Sequence, residues 1–448
     1  MTLPSRRDCL KSAFTIIPAL SARTYAANEK LNVAVVGCGS MGMGDIGRMV
    51  KLPMNIVALC DVDSRDPVKR NPTKGSYDLS AARMWADFRE MLDKQKDIEA
   101  VFVATPDHTH AVISMRAMEM GKHVACEKPQ ARTISEMRAM AAAAKKYKVA
   151  TQCDMEGHAF DELRSMVEWV KAGVIGEVAE VHIWEGGSDR PRGYPGTLKD
   201  PLPIPDYLNW DLWLGPASFR EYHAGLHPGR WRGWWDFGTG IMGDWCGHLF
   251  DTAVWSLDLG APTSIEPQWD GGDVSEVAWQ SAIIKFQFPS RGKGLPPVTL
   301  TWYDGGNKPP RPDELDPGEE LPRGGGYLFV GSKGKLVAVG RKSYLESDHG
   351  WLLPRSRMKD FQPPPQTLPR VKDQEHLNEW LDAIKGGKPA TCSFDGGYSD
   401  RIFEIGLLGN VAVRTGKPIE WDAKHMRAKG LPEADRFLHA EYRKGWEL

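Results

Sequence analysis

The sequence predicts an α/β protein of two domains, with length enough for a third. Three observations carry this. Between residues 31 and 152, short apolar runs of strand type alternate with helix-compatible stretches. The first turn of that series is rich in glycine. From about Asp161 the pattern changes to longer, strand-like alternation, interrupted by a Trp-rich region. The 448 residues carry 57 Lys+Arg against 59 Asp+Glu, a net charge of −2. A protein that grips nucleic acid or an anionic membrane needs a basic surplus, so neither partner is expected. Hydrophobic residues make up 41%, as in a water-soluble globule.

The first 27 residues read as an address. Ser5-Arg6-Arg7-Asp8-Cys9-Leu10-Lys11 is a twin-arginine stretch, followed by an apolar run from Ala13 to Ala19 and small residues at Tyr25-Ala26-Ala27. A basic start, a short apolar middle and a small-residue end describe an export signal. The run is too short to span a bilayer. Paired arginines point to the twin-arginine (Tat) machinery as a partner and to the periplasm as destination. Cys9 stands where an aromatic is commoner. The other six cysteines show no CxxC or CxxH spacing and are expected as buried free thiols.

Leu31–Val36 is an apolar strand that runs into Gly37-Cys38-Gly39-Ser40-Met41-Gly42, then a helix. A second strand, Asn55–Cys60, ends at Asp61. Strand, GxGxxG, helix and a strand closed by an acid about 20 residues on form the dinucleotide-binding (Rossmann) pattern. Gly37 permits the tight turn, Gly39 lets backbone approach a pyrophosphate, and Gly42 lets helix pack on strand. The helix start supplies amide donors. Asp61 is placed to accept from the adenosine ribose hydroxyls, which favours NAD; Arg65 nearby keeps NADP open. The alternation continues with a helix at 88–92 and a strand at 100–104. The loop Thr105-Pro106-Asp107-His108-Thr109-His110 follows, then a helix at 111–121. A strand at 123–126 ends at Glu127-Lys128-Pro129. A helix at 133–147 and a strand at 149–152 complete a domain over residues 28–152.

The dinucleotide loop, the Thr-Pro-x-x-x-His loop and the Glu-Lys-Pro turn, in this order, resemble the glucose–fructose oxidoreductase/inositol dehydrogenase (Gfo/Idh/MocA) family. The resemblance implies a Rossmann domain followed by an α/β domain with a large, mostly antiparallel sheet, here residues 153–448, that often mediates homo-oligomers. It places Lys128 beside nicotinamide and substrate and allows a cis Pro129. The candidate cofactor-binding residues are Gly37, Gly39, Ser40, Met41, Gly42, Asp61, Thr105, Pro106, His110, Glu127 and Lys128.

In the second domain, 161–172 reads as an amphipathic helix and 177–184 as a strand. Residues 185–243 form an insert holding Trp210, Trp213, Trp231, Trp234 and Trp235, with Arg190, Arg192, Arg230 and Arg232. Long inserts are usually functional. The Trp faces could stack on sugar rings or pin the insert down; the arginines could bind a carboxylate or form ion pairs. A helix from Gly243 to Leu257 carries Asp244 and His248 at i and i+4, on one face. The resemblance makes His248 the general base and has Asp244 orient it or bind a neighbouring hydroxyl. His suits that work because its pKa lies near operating pH. An ordinary ion pair is the plainer alternative. Asp251 continues the stripe, but no further ligand is evident, so no metal is expected. Strands are expected at 263–269, 277–288, 297–303, 327–331 and 334–339, and helices at 373–386 and 397–415. Residues 305–326 read as a loop or arm; 419–448 show no chemistry.

These readings converge on an NAD(P)-dependent oxidoreductase. It would move hydride between a sugar or polyol hydroxyl carbon and a tightly bound nicotinamide. The alternative is a redox-neutral NAD-dependent glycosidase, acting by transient oxidation and elimination.

Overall fold

A computed structural model describes residues 30–75, 77–186, 201–227, 229–292, 294–339 and 350–448. The export segment and Arg190 and Arg192 lie outside the described residues. The first domain is a six-stranded parallel sheet. Its strands are β1 (Leu31–Val36), β2 (Met54–Cys60), β3 (Arg83–Trp85), β4 (Ala100–Val103), β5 (His123–Glu127) and β6 (Thr151–Asp154), in the order β3-β2-β1-β4-β5-β6. A parallel sheet covered on both faces buries both sides of each strand, so its strands are continuous apolar runs. β4 is buried at all four positions. The helices are α1 (Ser40–Met49), α2 (Pro67–Arg70), α3 (Phe88–Lys94), α4 (Asp107–Glu119) and α5 (Ile134–Tyr147). α5 opens on a capping box, in which the Thr133 hydroxyl accepts from Glu136 N–H and the Glu136 carboxylate accepts from Thr133 N–H.

The strand order reverses direction at β1. The chain leaves β1 for β2 on one side and later returns to β4 on the other. That switch opens a crevice beyond the carboxyl ends of β1 and β4, where ligands bind in open α/β sheets.

The second domain adds α6 (Asp161–Lys171), β7 (Val178–Trp184), α7 (Trp210–Leu214), α8 (Gly240–Leu249) and α9 (Asp251–Leu257). It continues with β8 (Ser264–Trp269), β9 (Ala282–Phe288), β10 (Val298–Tyr303), β11 (Gly326–Gly331), β12 (Gly334–Val339) and β13 (Gly350–Leu353). α10 (Leu377–Ile384), α11 (Tyr398–Thr415), β14 (Ile419–Asp422) and β15 (Arg427–Ala428) complete it. Nine strands form one sheet, ordered β13-β12-β11-β7-β10-β9-β8-β14-β15. β7 and β10 pair parallel; the other neighbours are antiparallel. The architecture is thus a Rossmann-type domain followed by an α/β domain with a mostly antiparallel sheet.

Several boundaries move. α4 begins at Asp107 and not after His110, because Pro106 at its N-cap starts the helix early. The helix expected from 243 to 257 is two helices, broken at Phe250. The expected strand at 277–288 joins the sheet only from Ala282; Val277 instead forms an isolated bridge with Trp234. The short strands β3, β13, β14 and β15 offer two to four residues each, too few for periodicity to register. All six described cysteines are buried and free, as expected. Among the described residues no helix is long and apolar enough to cross a membrane.

α8 is held by α11. A Cβ on Gly406 of α11 would lie 2.5 Å from the Cys246 sulfur and 2.8 Å from its Cβ. Overpacking of this kind typically costs about 1–3 kcal/mol. Gly406→Ala is therefore expected to lower the urea-unfolding free energy by roughly that amount. An unchanged midpoint would show that the two helices separate freely.

Candidate active site

Each glycine of the first loop has a distinct physical reason. Gly37 has φ +91°, and a Cβ there would lie 2.6 Å from the Ala104 carbonyl oxygen beyond β4. A Cβ on Gly42 would collide with the Gly37 carbonyl. Gly39 faces open space, with no protein atom within 4 Å of an added Cβ. The first intrahelical bond of α1 is Met43 N–H to Gly39 O, 2.9 Å. The amides of Ser40, Met41 and Gly42 precede it and are donors for an anion. A tight turn, an open second glycine and a helix start fit a dinucleotide pyrophosphate.

Asp61 sits at the end of β2. Its carboxylate accepts from Cys38 N–H at 2.7 Å and Asp63 N–H at 2.9 Å, and pairs with Arg70. Arg70 also donates to Cys38 O at 3.0 Å and lies 2.8 Å from the Asp63 carboxylate. The guanidinium beside Asp61 is thus Arg70. Arg65 is engaged by Asp63 at 2.6 Å and covers the Tyr207 ring at 3.6 Å. Sequence reading missed Arg70 because it is nine residues on, in a short helix that folds back over the glycine loop.

His110 braces the two loops of the crevice. One ring nitrogen lies 2.8 Å from Pro129 O and the other 2.8 Å from Thr105 O. Both partners are carbonyls, which only accept, so both ring nitrogens must donate and the imidazole is cationic. Burial opposes this charge; the Cys126 sulfur, the Asp107 carboxylate and the Pro129 carbonyl outweigh it and push the pKa up to about 9. Thr105 accepts the Thr109 hydroxyl proton at 2.8 Å, and Pro106 caps α4.

Lys128 closes the crevice from the end of β5. The Lys128–Pro129 peptide is cis. Lys128 Nζ donates to the Asp244 carbonyl at 2.8 Å and pairs with the Asp244 carboxylate. Asp244 therefore anchors Lys128, a role the sequence did not suggest. His248 follows one turn later on α8; its carbonyl accepts from the Tyr327 hydroxyl at 3.0 Å, and Trp245 meets its ring edge-on at 5.7 Å. Gly247 between them has Lys128 Cβ within 3.7 Å of where its own Cβ would be, so α8 packs directly on the lysine. Trp245 is a further candidate that sequence reading passed over: its indole N–H is buried without a partner.

Glu127 lies beneath this turn. Its carboxylate accepts from Lys128 N–H at 3.0 Å and faces Asp45 and Asp154. The three acids could hold a metal by spacing alone, but Arg48 already bridges Asp154 at 2.6 Å and Glu375 at 2.7 Å. Burial, then the Asp154 charge, holds the Glu127 carboxyl well above its usual range. Asp251 does not join Asp244 and His248. It begins α9 and pairs with His158 at 3.0 Å and with the Tyr398 hydroxyl.

The insert tryptophans face one another. Trp210 and Trp213 stack at 4.5 Å, and both join Trp231, Trp234 and Phe237 in a separate apolar cluster. Trp235 is buried in the main core. These faces pin the insert in place and are not open to a sugar. Arg232 lies over Trp231 at 4.5 Å, with Nε 3.9 Å from the Asp244 carboxylate.

This fold and crevice define a two-domain protein with an NAD-binding Rossmann domain. The chain belongs to the Gfo/Idh/MocA family: residues 31–155 match the oxidoreductase family's NAD-binding Rossmann fold, and residues 162–287 its C-terminal alpha/beta domain. A levoglucosan dehydrogenase of Pseudarthrobacter phenanthrenivorans is 30% identical over 158 residues, 34% of this chain and 39% of that protein. Glycosyl hydrolase family 109 protein 1 of Bacteroides fragilis is 33% identical over 202 residues, 44% of this chain and 40% of that protein. The chain thus matches about two fifths of the length of these relatives. The WlbA dehydrogenase of Chromobacterium violaceum, solved with NADH and UDP-GlcNAcA, shares the fold at a TM-score of 0.61. It is 18% identical, over 89% of this chain and 98% of that one.

Two predictions follow from the geometry. The folded pKa of His110 lies above the unfolded value near 6.5, so the folded state holds the extra proton. That stabilisation is complete below about pH 6.5 and is lost as the pH rises through the folded value. On the order of 3 kcal/mol should disappear from wild type between these limits, and His110→Gln should lack this slope in pH-dependent unfolding. Parallel slopes in the two proteins would reject the imidazolium. Separately, Asp61→Ala should weaken NAD binding about tenfold and raise the NADP-to-NAD affinity ratio, because Arg70 loses its carboxylate. Fluorescence titration with both reduced cofactors reads this; an unmoved ratio counts against ribose recognition at Asp61.

Proposed function

We propose that this oxidoreductase transfers hydride between a hydroxyl-bearing carbon of a sugar or polyol and a tightly held nicotinamide. The observation that carries the reading is the convergence of Lys128 with the helix that bears Asp244 and His248. Gly37, Gly39, Ser40, Met41, Gly42 and Asp61 would hold the dinucleotide, with Thr105, Pro106 and His110 shaping the floor of the crevice. When bound, the nicotinamide supplies the hydride acceptor or donor. The chain's own residues handle the proton and the charge. His248 takes the hydroxyl proton. The Lys128 ammonium, aimed by its bonds to Asp244, stabilises the negative charge that grows on the substrate oxygen.

The redox-neutral glycosidase is the second reading. The likeness to the family 109 glycosyl hydrolase protein favours it. The twin-arginine segment supports export of a folded holoprotein into the periplasm, where a captive cofactor regenerated in place would be needed. Either activity fits His248 as base and Lys128 as electrophile, and the two differ in product.

Purified chain, without added cofactor, should show the nicotinamide absorbance. Nitrophenyl glycosides and free sugars are then added while reduced nicotinamide and released nitrophenol are followed together. A lasting rise in reduced nicotinamide without nitrophenol means net oxidation; repeated nitrophenol release with no lasting rise means the glycosidase. Lys128→Ala and His248→Ala should each lower the rate at saturating substrate by about 10²–10⁴-fold with NAD binding retained. Wild-type rates in His248→Ala would remove it as the base.

A further inference from the structure

A cavity of about 680 Å³ lies behind the start of α8, and its walls include none of Lys128, Asp244 and His248. Thr239, which precedes α8, stands between them: it lines the cavity, and its hydroxyl donates to Asp107 at 2.8 Å. Other walls include Trp235–Asp236, residues 272–275, the last turns of α11 and residues 436–441. The volume lies in the range of small-molecule sites.

The cavity carries three arginines, Arg132, Arg414 and Arg436. Among the described residues none of the three has a carboxylate within ion-pair distance. Arg132 donates from one terminal nitrogen to the carbonyls of Trp235 and Asp236, at 3.0 and 2.7 Å, and its Nε is buried without a partner. Arg414 has a buried, unpartnered Nε as well, and lies over the Trp235 and Phe437 rings at 4.9 and 4.0 Å. Arg436 shares the Phe437 ring at 4.5 Å. Ring stacking fixes a guanidinium plane and leaves its edge donors free. Burial and the neighbouring Arg132 charge push the Arg414 pKa down to about 9. Asn410 ties this wall to the start of α8: it is 5% exposed, and its amide N–H donates to Thr239 O at 2.8 Å.

The acids near the cavity offset these charges only in part: Asp236 favours the Arg414 charge, and Glu433 faces Arg436, but neither lies within ion-pair distance. Asp236 pairs with Arg220 at 2.8 Å. Asp273 and Glu441 are exposed. The chain end forms a built wall: Leu438 O accepts from Ser135 N–H at 3.1 Å, the Tyr442 hydroxyl donates to Glu136 at 2.9 Å, and Arg443 pairs with Asp211 at 2.6 Å.

Like charges are costly to gather in a partly buried space unless an anion joins them. We propose that this cavity binds a small oxyanion, a sugar-sized molecule bearing a carboxylate or a phosphate. Arg132, Arg414 and Arg436 grip the oxyanion through their guanidinium groups. Planar guanidinium forks match both anions. The site is separate from the proposed chemistry at Lys128 and does not depend on it.

The test is calorimetric titration of the full chain saturated with NAD, so that the glycine loop is occupied. The probes are D-glucuronate, D-glucose 6-phosphate and inorganic phosphate, with D-glucose as the neutral control. At least one oxyanion should bind saturably, with glucose at least tenfold weaker. Which probe binds tells carboxylate from phosphate. Arg414→Gln and Arg436→Gln should each weaken that probe about tenfold and leave NAD affinity unchanged. Arg436 is exposed at the mouth, so its variant keeps the test open if Arg414→Gln does not fold. No saturable oxyanion, equal binding of glucose, or unaltered affinity in Arg436→Gln would each overturn the proposal.

Discussion

The crevice depends on one brace, the cationic ring of His110 held between two carbonyls at 2.8 Å. Those carbonyls belong to the loops that leave β4 and β5. The brace sets the distance between the Thr105 turn and the Lys128–Pro129 turn. Lys128 can then reach across to α8 and bind Asp244 through both its carbonyl and its carboxylate. The parallel sheet and the helix with the candidate base are joined through this chain of polar contacts. His110 and Asp244 are buried and Lys128 is half-buried, where each bond is stronger and each missing partner more costly than in water.

Beneath the same turn lies an acidic cluster that needs its own account. Asp45, Glu127 and Asp154 bring their oxygens within 4.8 Å of one another, and Asp45 has one carboxylate oxygen without a partner. Arg48 offsets part of this charge through Asp154 and Glu375. Burial raises the Asp45 carboxyl, with Glu127 and Asp154 adding to the effect. Protons shared among the acids complete the neutralisation, since like carboxylates this close cannot all ionise. Glu127 meets the turn through Lys128 N–H, so the cluster supports the backbone that carries the lysine.

The Trp-rich insert shows how composition misleads about exposure. An aromatic-rich loop region invites a sugar-stacking reading, because indole faces suit sugar rings. Here Trp210, Trp213, Trp231 and Trp234 form their own small core, and His108 packs into it beside Trp213 and Phe237. An insert with little regular structure has few backbone ladders, so large side chains packed on one another supply its order.

What the sequence determined was local. The strand–glycine–helix–acid unit is legible because each glycine answers to backbone geometry within a few residues. Continuous apolar runs announced the parallel strands; the capping box of Thr133 and Glu136 at the start of α5 is equally local, although only the structure showed it. The Asp244–His248 spacing was readable as one helix face. Pairings across the fold were decided only by tertiary structure. No spacing rule brings Arg70 onto Asp61, Asp244 onto Lys128 across 116 residues, or the chain end against Arg132 and Arg414. Nor could the pattern separate Asp251 from the Asp244 stripe, because the break at Phe250 turns α9 toward His158. Periodicity reports which side of an element is buried; the neighbour that buries it is set by how the elements dock.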